Sequence, residues 1–220
     1  MKGHKQAITS LEWMLDNKSV ITGSKDCSLI RWDLESQKKL FFRGEKFNRK
    51  FEGHFDEVCC HAISPNGKFL VSGGKDRIVR VWDIHNQKQI HTFLGHRDTI
   101  TGISFDKEND QLYTVSNDRA LKVWNIREMA YMDTHYGHHS DILALDSYSR
   151  DRVISCGLDR QVIFWKVNED SELIYSNPIH TVDTVNCLNS KFFITGSSDN
   201  AIDLWIMNKK KPCYSIGGLH

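Results

Sequence analysis

Histidine, a hydroxyl residue and aspartate recur together along this 220-residue chain. They are the side-chain types from which nucleophilic hydrolases assemble a catalytic triad. The sets are His4, Thr22 and Asp26; His54, Ser72 and Asp76; His96, Thr114 and Asp118; His138, Ser155 and Asp159; and His180, Thr195 and Asp199. Each ends on a tryptophan six residues after the aspartate: Trp32, Trp82, Trp124, Trp165 and Trp205. A catalytic triad is built once and opens on a cleft, whereas five copies in fixed register indicate an internal device. The sets are therefore expected to be structural tetrads. Outside them no unpaired nucleophile, base or metal cluster is found, so the expectation is a protein that is not an enzyme. His135, His138 and His139 are close in sequence, but His138 belongs to a tetrad, which leaves no metal set. Gly73-Gly74-Lys75 lacks the spacing and the following helix of a phosphate loop. No cofactor and no small-molecule substrate are implied.

The elements that must position these residues follow from the same spacing. Successive tetrad tryptophans lie 50, 42, 41 and 40 residues apart. Between them run short β-branched and aromatic segments such as Lys68–Ser72 and Ile78–Trp82, separated by turn residues such as Pro65-Asn66-Gly67. Four short strands in a unit of about 40 residues are the signature of a propeller blade. Each unit resembles the WD40 repeat, and the resemblance covers essentially the whole chain. The expectation is an all-β WD40 β-propeller, one domain over 1–220, with repeats at about 3–36, 53–86, 95–128, 137–168 and 179–208 and a sixth starting near 217. Seven blades are common in the family resembled, and a radial array is stabilised by closing. These five blades' worth are thus expected to be a fragment of a seven-bladed ring.

Composition adds little: 40% hydrophobic residues, 26% charged and a formal net charge of +1. No run approaches the roughly 18 apolar residues of a membrane helix, and Met1-Lys2-Gly3-His4 lacks the apolar stretch of a signal peptide. No membrane partner is implied. Cys27, Cys59, Cys60, Cys156, Cys187 and Cys213 are scattered without a C-x-x-C pair, the pattern of reduced thiols.

In this fold the aspartate turns and the histidine loops emerge on one rim. Beside the aspartates stand Lys25, Lys75, Arg77, Arg119 and Arg160, and beside the histidines Lys5, Arg97 and His139. Asp56, Glu57, Asp98, Asp141 and Asp183 interrupt them, so the rim is mixed with a basic lean. The long connection 37–52 adds Lys38, Lys39, Arg43, Lys46, Arg49 and Lys50 against Glu45 and Glu52, with Phe41, Phe42, Phe47 and Phe51 interleaved. Cations with aromatics suit RNA, whose phosphates supply affinity and whose unstacked bases rest on rings. The candidate RNA or partner contacts are Lys25, Lys75, Arg77, Arg97, Arg119 and Arg160 on the rim and Arg43, Lys46, Arg49 and Lys50 in the connection. Phe41 and Phe42 are expected in the outer strand of the first blade, and Trp13 is expected to be buried in an inner strand. Lys209-Lys210-Lys211 reads as a solvated turn.

A narrower resemblance rests on phrases of which several lie outside the tetrads: Lys25-Asp26-Cys27-Ser28, Leu94-Gly95-His96-Arg97-Asp98, Gln111-Leu112-Tyr113 and Asp118–Asn125. It continues in Ala144-Leu145-Asp146 with Ser149-Arg150, and in Lys209-Lys210-Lys211-Pro212. These are similar to the WD-repeat proteins of the U3 small nucleolar ribonucleoprotein, as is the longer first connection. The resemblance implies a seven-bladed propeller that joins the B/C motif of U3 snoRNA together with a kink-turn-binding ribonucleoprotein subunit and other processome proteins. It implies a place in the nucleus, in the nucleolus, and a role in pre-rRNA processing for the small ribosomal subunit. A protein-only WD40 scaffold or substrate receptor is the alternative.

Overall fold

The protein is described as a computed structural model over residues 3–42, 46–47, 50–51, 53–108, 110–169, 171–176, 180–207, 209 and 211–217, without the side chains of Lys46, Phe47, Lys50, Phe51 and Ser176. It forms two compact units, Met1–Ile103 and Ser104–His220. The first sheet holds β1 (Ile8–Trp13), β2 (Ser19–Ser24), β3 (Leu29–Asp33) and β4 (Lys39–Phe42). A two-stranded ribbon follows, β5 (Lys46–Phe47) with β6 (Lys50–Phe51). The second sheet holds β7 (Val58–Ile63), β8 (Phe69–Gly74), β9 (Val79–Asp83) and β10 (Gln89–Phe93). The third is built from β11 (Ile100–Phe105), β12 (Gln111–Ser116), β13 (Ala120–Asn125) and β14 (Ala130–Tyr136). The fourth is built from β15 (Ile142–Ser149), β16 (Arg152–Gly157), β17 (Gln161–Lys166) and β18 (Ser171–Ser176), with one 3-10 turn at Val167–Glu169. The fifth comprises β19 (Val182–Cys187), β20 (Phe192–Ser197), β21 (Ile202–Ile206) and β22 (Tyr214–Ile216). Each four-stranded sheet is a meander of sequence neighbours, the blade expected from the repeat.

One turn recurs in every blade, between its second and third strands. A β-turn hydrogen bond closes it, from Cys27 N to Ser24 O at 3.2 Å in the first blade and at 3.1–3.2 Å for Arg77, Arg119, Arg160 and Asn200 in the others. The donor residue is left-handed each time, with φ of 63°, 62°, 67°, 63° and 63° in chain order. The preceding aspartate stabilises it, because its Oδ1 accepts the N–H two residues on, from Ser28, Ile78, Ala120, Gln161 and Ala201 at 3.1–3.3 Å. The residue before the aspartate then bonds the chain leading into the inner strand: Lys25 N to Ala7 O, Lys75 N to Glu57 O, Leu158 N to Asp141 O and Ser198 N to Thr181 O. In the second blade this approach requires a glycine, since a Cβ on Gly74 would sit 2.0 Å from the Glu57 carbonyl oxygen. The aspartate turn and the histidine loop of a blade are thereby bound to each other at one end of its sheet.

Apolar side chains pack between successive sheets. In the first unit Ile21, Leu29, Phe42, Val58, Leu70 and Trp82 form one buried cluster, so Phe42 is core as the outer-strand position required. In the second unit Tyr113, Leu121, Val123, Ile142, Val153 and Trp165 form another. Trp13 departs from expectation: it is 55% exposed. Along β1, Ser10 and Glu12 turn towards the second blade, and Ile8, Leu11 and Trp13 point the other way, where no sheet of the same unit covers them among the described residues. Alternation fixes which residues share a face of a strand but not which face is covered.

Candidate functional site

The tetrads differ in completeness. In the first blade His4 Nδ1 lies 3.1 Å from Asp26 Oδ2, His4 Nε2 lies 2.7 Å from Thr22 Oγ1, and Trp32 Nε1 donates to Thr22 Oγ1 at 2.7 Å. The second has His54 to Asp76 at 2.8 Å, His54 to Ser72 at 2.7 Å and Trp82 to Ser72 at 2.8 Å. The fourth has His138 to Asp159, His138 to Ser155 and Trp165 to Ser155, all at 2.8 Å. In the third, Trp124 donates to Thr114 at 2.9 Å and His96 is buried. The fifth is open: Trp205 donates to Thr195 at 2.9 Å, but His180 is 3.8 Å from Asp199 and its side chain is 41% exposed. Ile179 stands where the other four histidines follow a glycine.

Electrostatics fit this buried role. Burial alone would raise the carboxyl of Asp26, but hydrogen bonds from Ser28, the Lys5 N–H and His4 outweigh it and hold it at about 2. Burial lowers the His54 imidazole against the opposing pull of Asp76. No tetrad offers a nucleophile facing open space, and among the described residues no group of three or more His, Cys, Asp or Glu could hold a metal ion. Among the described residues no helix is long and apolar enough to cross a membrane.

What the tetrads do position is the chain on either side of them. The second oxygen of Asp26 accepts the Lys5 N–H at 2.7 Å, and that of Asp159 accepts the His139 N–H at 2.9 Å. In the first unit the turns of blades one and two stand side by side, because Lys25 Nζ and Lys75 Nζ both reach Glu57 Oε2, at 3.5 and 3.1 Å. The Lys75 hydrogen bond and both lysine charges hold Glu57 below the usual carboxylate range. The two lysines are thus partly neutralised, while the exposed Lys5 and Arg77 add positive charge on this end. Arg77 and Arg119 are exposed, and among the described residues their guanidinium groups have no polar partner. Arg97 and Arg160 are also exposed but take part in further polar interactions. Arg43 and Arg49 lie outside the described residues, and of Lys46 and Lys50 only the backbone pairing is described.

Arg77, Arg119 and Arg160 occupy the left-handed turn position, where a side chain with a Cβ costs roughly 1 kcal/mol relative to glycine. Among the described residues the Arg77 side chain makes no interaction that offsets this, so Arg77→Asn, which suits the conformation better, is expected to raise stability by roughly 0.5–1 kcal/mol. The denaturant midpoint measures it. A lower midpoint would mean that the guanidinium supports the turn.

Phe55 was not marked by any sequence pattern. It follows the second tetrad histidine, is 65% exposed, and its ring centroid lies 5.4 Å from the guanidinium carbon of Arg80. Its only signal in the sequence is a phenylalanine where the other blades carry Lys5, Arg97, His139 and Thr181.

Comparison with known proteins extends these observations. The chain is 38% identical over 227 residues to the U3 snoRNP-associated protein-like YAOH of Oryza sativa subsp. japonica, covering 99% of this chain and 44% of that protein. It is 36% identical over 216 residues to U3 small nucleolar RNA-interacting protein 2 of Homo sapiens, covering 96% of this chain and 46% of the relative. It therefore spans about half the length of the curated relatives it matches. The solved structure of U3-55K superposes with a TM-score of 0.92 at 35% identity, over 98% of this chain and 66% of that one. Residues 1–33, 45–83, 87–125, 130–166 and 171–205 match the WD domain, G-beta repeat family. With five blades of one topology and a recurring aspartate-held turn, the chain belongs to the WD-repeat family and is built of propeller blades.

Proposed function

We propose that this chain is part of a non-catalytic assembly factor that binds U3 snoRNA in nucleolar pre-rRNA processing for the small ribosomal subunit. The rim of aspartate turns and histidine loops contacts RNA, together with a kink-turn-binding ribonucleoprotein subunit and other processome proteins. The observation that carries the reading is the pair Arg77 and Arg119. Each is exposed, without a polar partner among the described residues, and seated at the same strained turn position of its blade. A cation that does nothing for the fold at such a position is available for a phosphate. The names of the relatives, U3 snoRNP-associated and U3 small nucleolar RNA-interacting, support the choice of RNA and the nucleolar setting of this reading.

Binding of U3 snoRNA by the full-length protein tests it, measured across a salt titration. Lys75→Glu, Arg77→Glu and Arg119→Glu are each expected to weaken binding and to lower the salt slope by about one for each phosphate no longer neutralised. Parent-like affinity and slope in all three would remove the rim from RNA binding. The carboxylates Asp56 and Glu57 beside the same lysines favour a second reading, a protein-only scaffold. Its complexes would survive nuclease treatment, whereas RNA-dependent ones would not.

A further inference from the structure

We infer that Phe55 is a stacking platform for an unpaired RNA base, and that Arg80 is the strut that holds it. The inference rests on the RNA reading above and adds what the rim recognises there: a base, beyond the sugar–phosphate backbone.

Two departures from the repeat meet in the second blade. Four residues after the tetrad aspartate the other blades carry Ile30, Lys122, Ile163 and Asp203; here it is Arg80. Arg80 is 4% exposed, donates from Nη2 to Asp76 Oδ2 at 3.1 Å, and keeps its Nε buried without a partner among the described residues. Burying a guanidinium with an unmatched N–H is costly. The tetrad does not require it, because His4–Asp26 and His138–Asp159 form without any arginine at that position.

Besides Asp76, Arg80 reaches Gln89 Oε1 from Nη1 at 3.5 Å and lies against the ring of Phe55. In blades one and four the residue after the histidine is tied down by its own N–H on the aspartate, as Lys5 and His139 are. In blade two the aspartate oxygen that bonds the histidine is bonded by Arg80 instead, and Phe55 is held through its ring by a cation–π contact. A large apolar ring that packs in the core needs no such device, and Phe55 is not in the core, being 65% exposed. Arg80 can cover only one face of it. The His54–Asp76 bond ties the loop that carries Phe55 to the turn that carries Lys75 and Arg77. A fixed aromatic face with cations at its border matches a single-stranded nucleic acid, whose bases stack on rings while its phosphates meet lysine and arginine.

The test uses the full-length protein and two probes, a single-stranded oligoadenylate of about 12 nucleotides and a fully paired RNA duplex of similar length. Phe55→Ala and Phe55→Leu are each expected to weaken binding of the single strand about tenfold, with the salt slope of the parent and little change on the duplex. Phe55→Trp is expected to restore or exceed parent binding. Leucine keeps apolar bulk in the loop, so a loss shared by both variants belongs to the aromatic face and not to misfolding. If Phe55→Ala and Phe55→Leu bind the single strand as the parent does while Lys75→Glu and Arg77→Glu weaken it, the stacking inference falls and the RNA reading stands. Equal losses on strand and duplex would give Phe55 a structural role and overturn the inference. If neither the Phe55 variants nor the charge reversals change binding, both fall together.

Discussion

Asp76→Ala is expected to cost about 3–5 kcal/mol of stability, against about 1–3 kcal/mol for the same change at Asp26, although both residues hold the same place in their repeats. The difference lies in what each leaves behind. The Asp26 side chain is 11% exposed and its partners are His4, the hydroxyl and N–H of Ser28, and the Lys5 N–H. Water can replace part of that set. Asp76 is fully buried, with His54 and Arg80 at 1% and 5% side-chain exposure. Removing its carboxylate strands an arginine charge that cannot shed its proton and cannot reach solvent. Urea denaturation of the two variants gives the comparison. Arg80→Leu introduced on top of Asp76→Ala is expected to recover part of the loss, since the uncompensated charge goes with it. Equal losses at the two aspartates, or no recovery, would mean that Arg80 relaxes to water and does not depend on Asp76.

That asymmetry also marks how far the sequence could be read. The tetrad spacing, the blade count and the run of strands were legible because each is repeated, and repetition separates a signal from accident. The turn held by Oδ1 of every aspartate was implicit in the same register, but its left-handed φ was not: Cys27, Arg77, Arg119 and Arg160 are residues that a turn of this type would not be expected to favour. Features belonging to a single blade were the ones missed. His180 keeps its place in the pattern yet stands off Asp199, a consequence visible beforehand only as the missing glycine at Ile179. Trp13 obeyed strand alternation and still faced outward, because cover comes from a neighbouring sheet and not from the strand itself. The joining of Arg80 to Phe55, or of Ser10 to His61 at 2.7 Å, links residues that no 40-residue period relates.

Glu12 is such a residue, and it gives the second large effect. It sits on β1 facing the second blade, where one carboxylate oxygen is buried without a partner among the described residues. Burial raises its carboxyl from the ordinary 4.5 to about 7, with only the hydrogen bond to the Ile63 backbone pulling the other way. A carboxyl whose pKa is higher in the folded than in the unfolded chain favours folding when protonated. Its contribution is therefore present at low pH and is lost as pH rises from about 4.5 to about 7. Above that window folding must bury the charge, and Glu12→Gln is expected to stabilise the protein at about pH 8 by roughly 1–3 kcal/mol, an advantage that disappears below about pH 4.5. His61 lies on the facing strand β7 and runs the opposite way. Burial lowers it from 6.5 to about 4 against the hydrogen bond to the Ile21 backbone, so its contribution is present above 6.5 and is lost as pH falls towards 4. In the parent the two slopes oppose each other over the shared range and flatten the profile. In Glu12→Gln the histidine slope stands alone, and the denaturant midpoint should fall steadily from about pH 6.5 to about pH 4 where the parent changes little. A variant that matches the parent at about pH 8 would show that the carboxylate between the first two blades reaches water when charged.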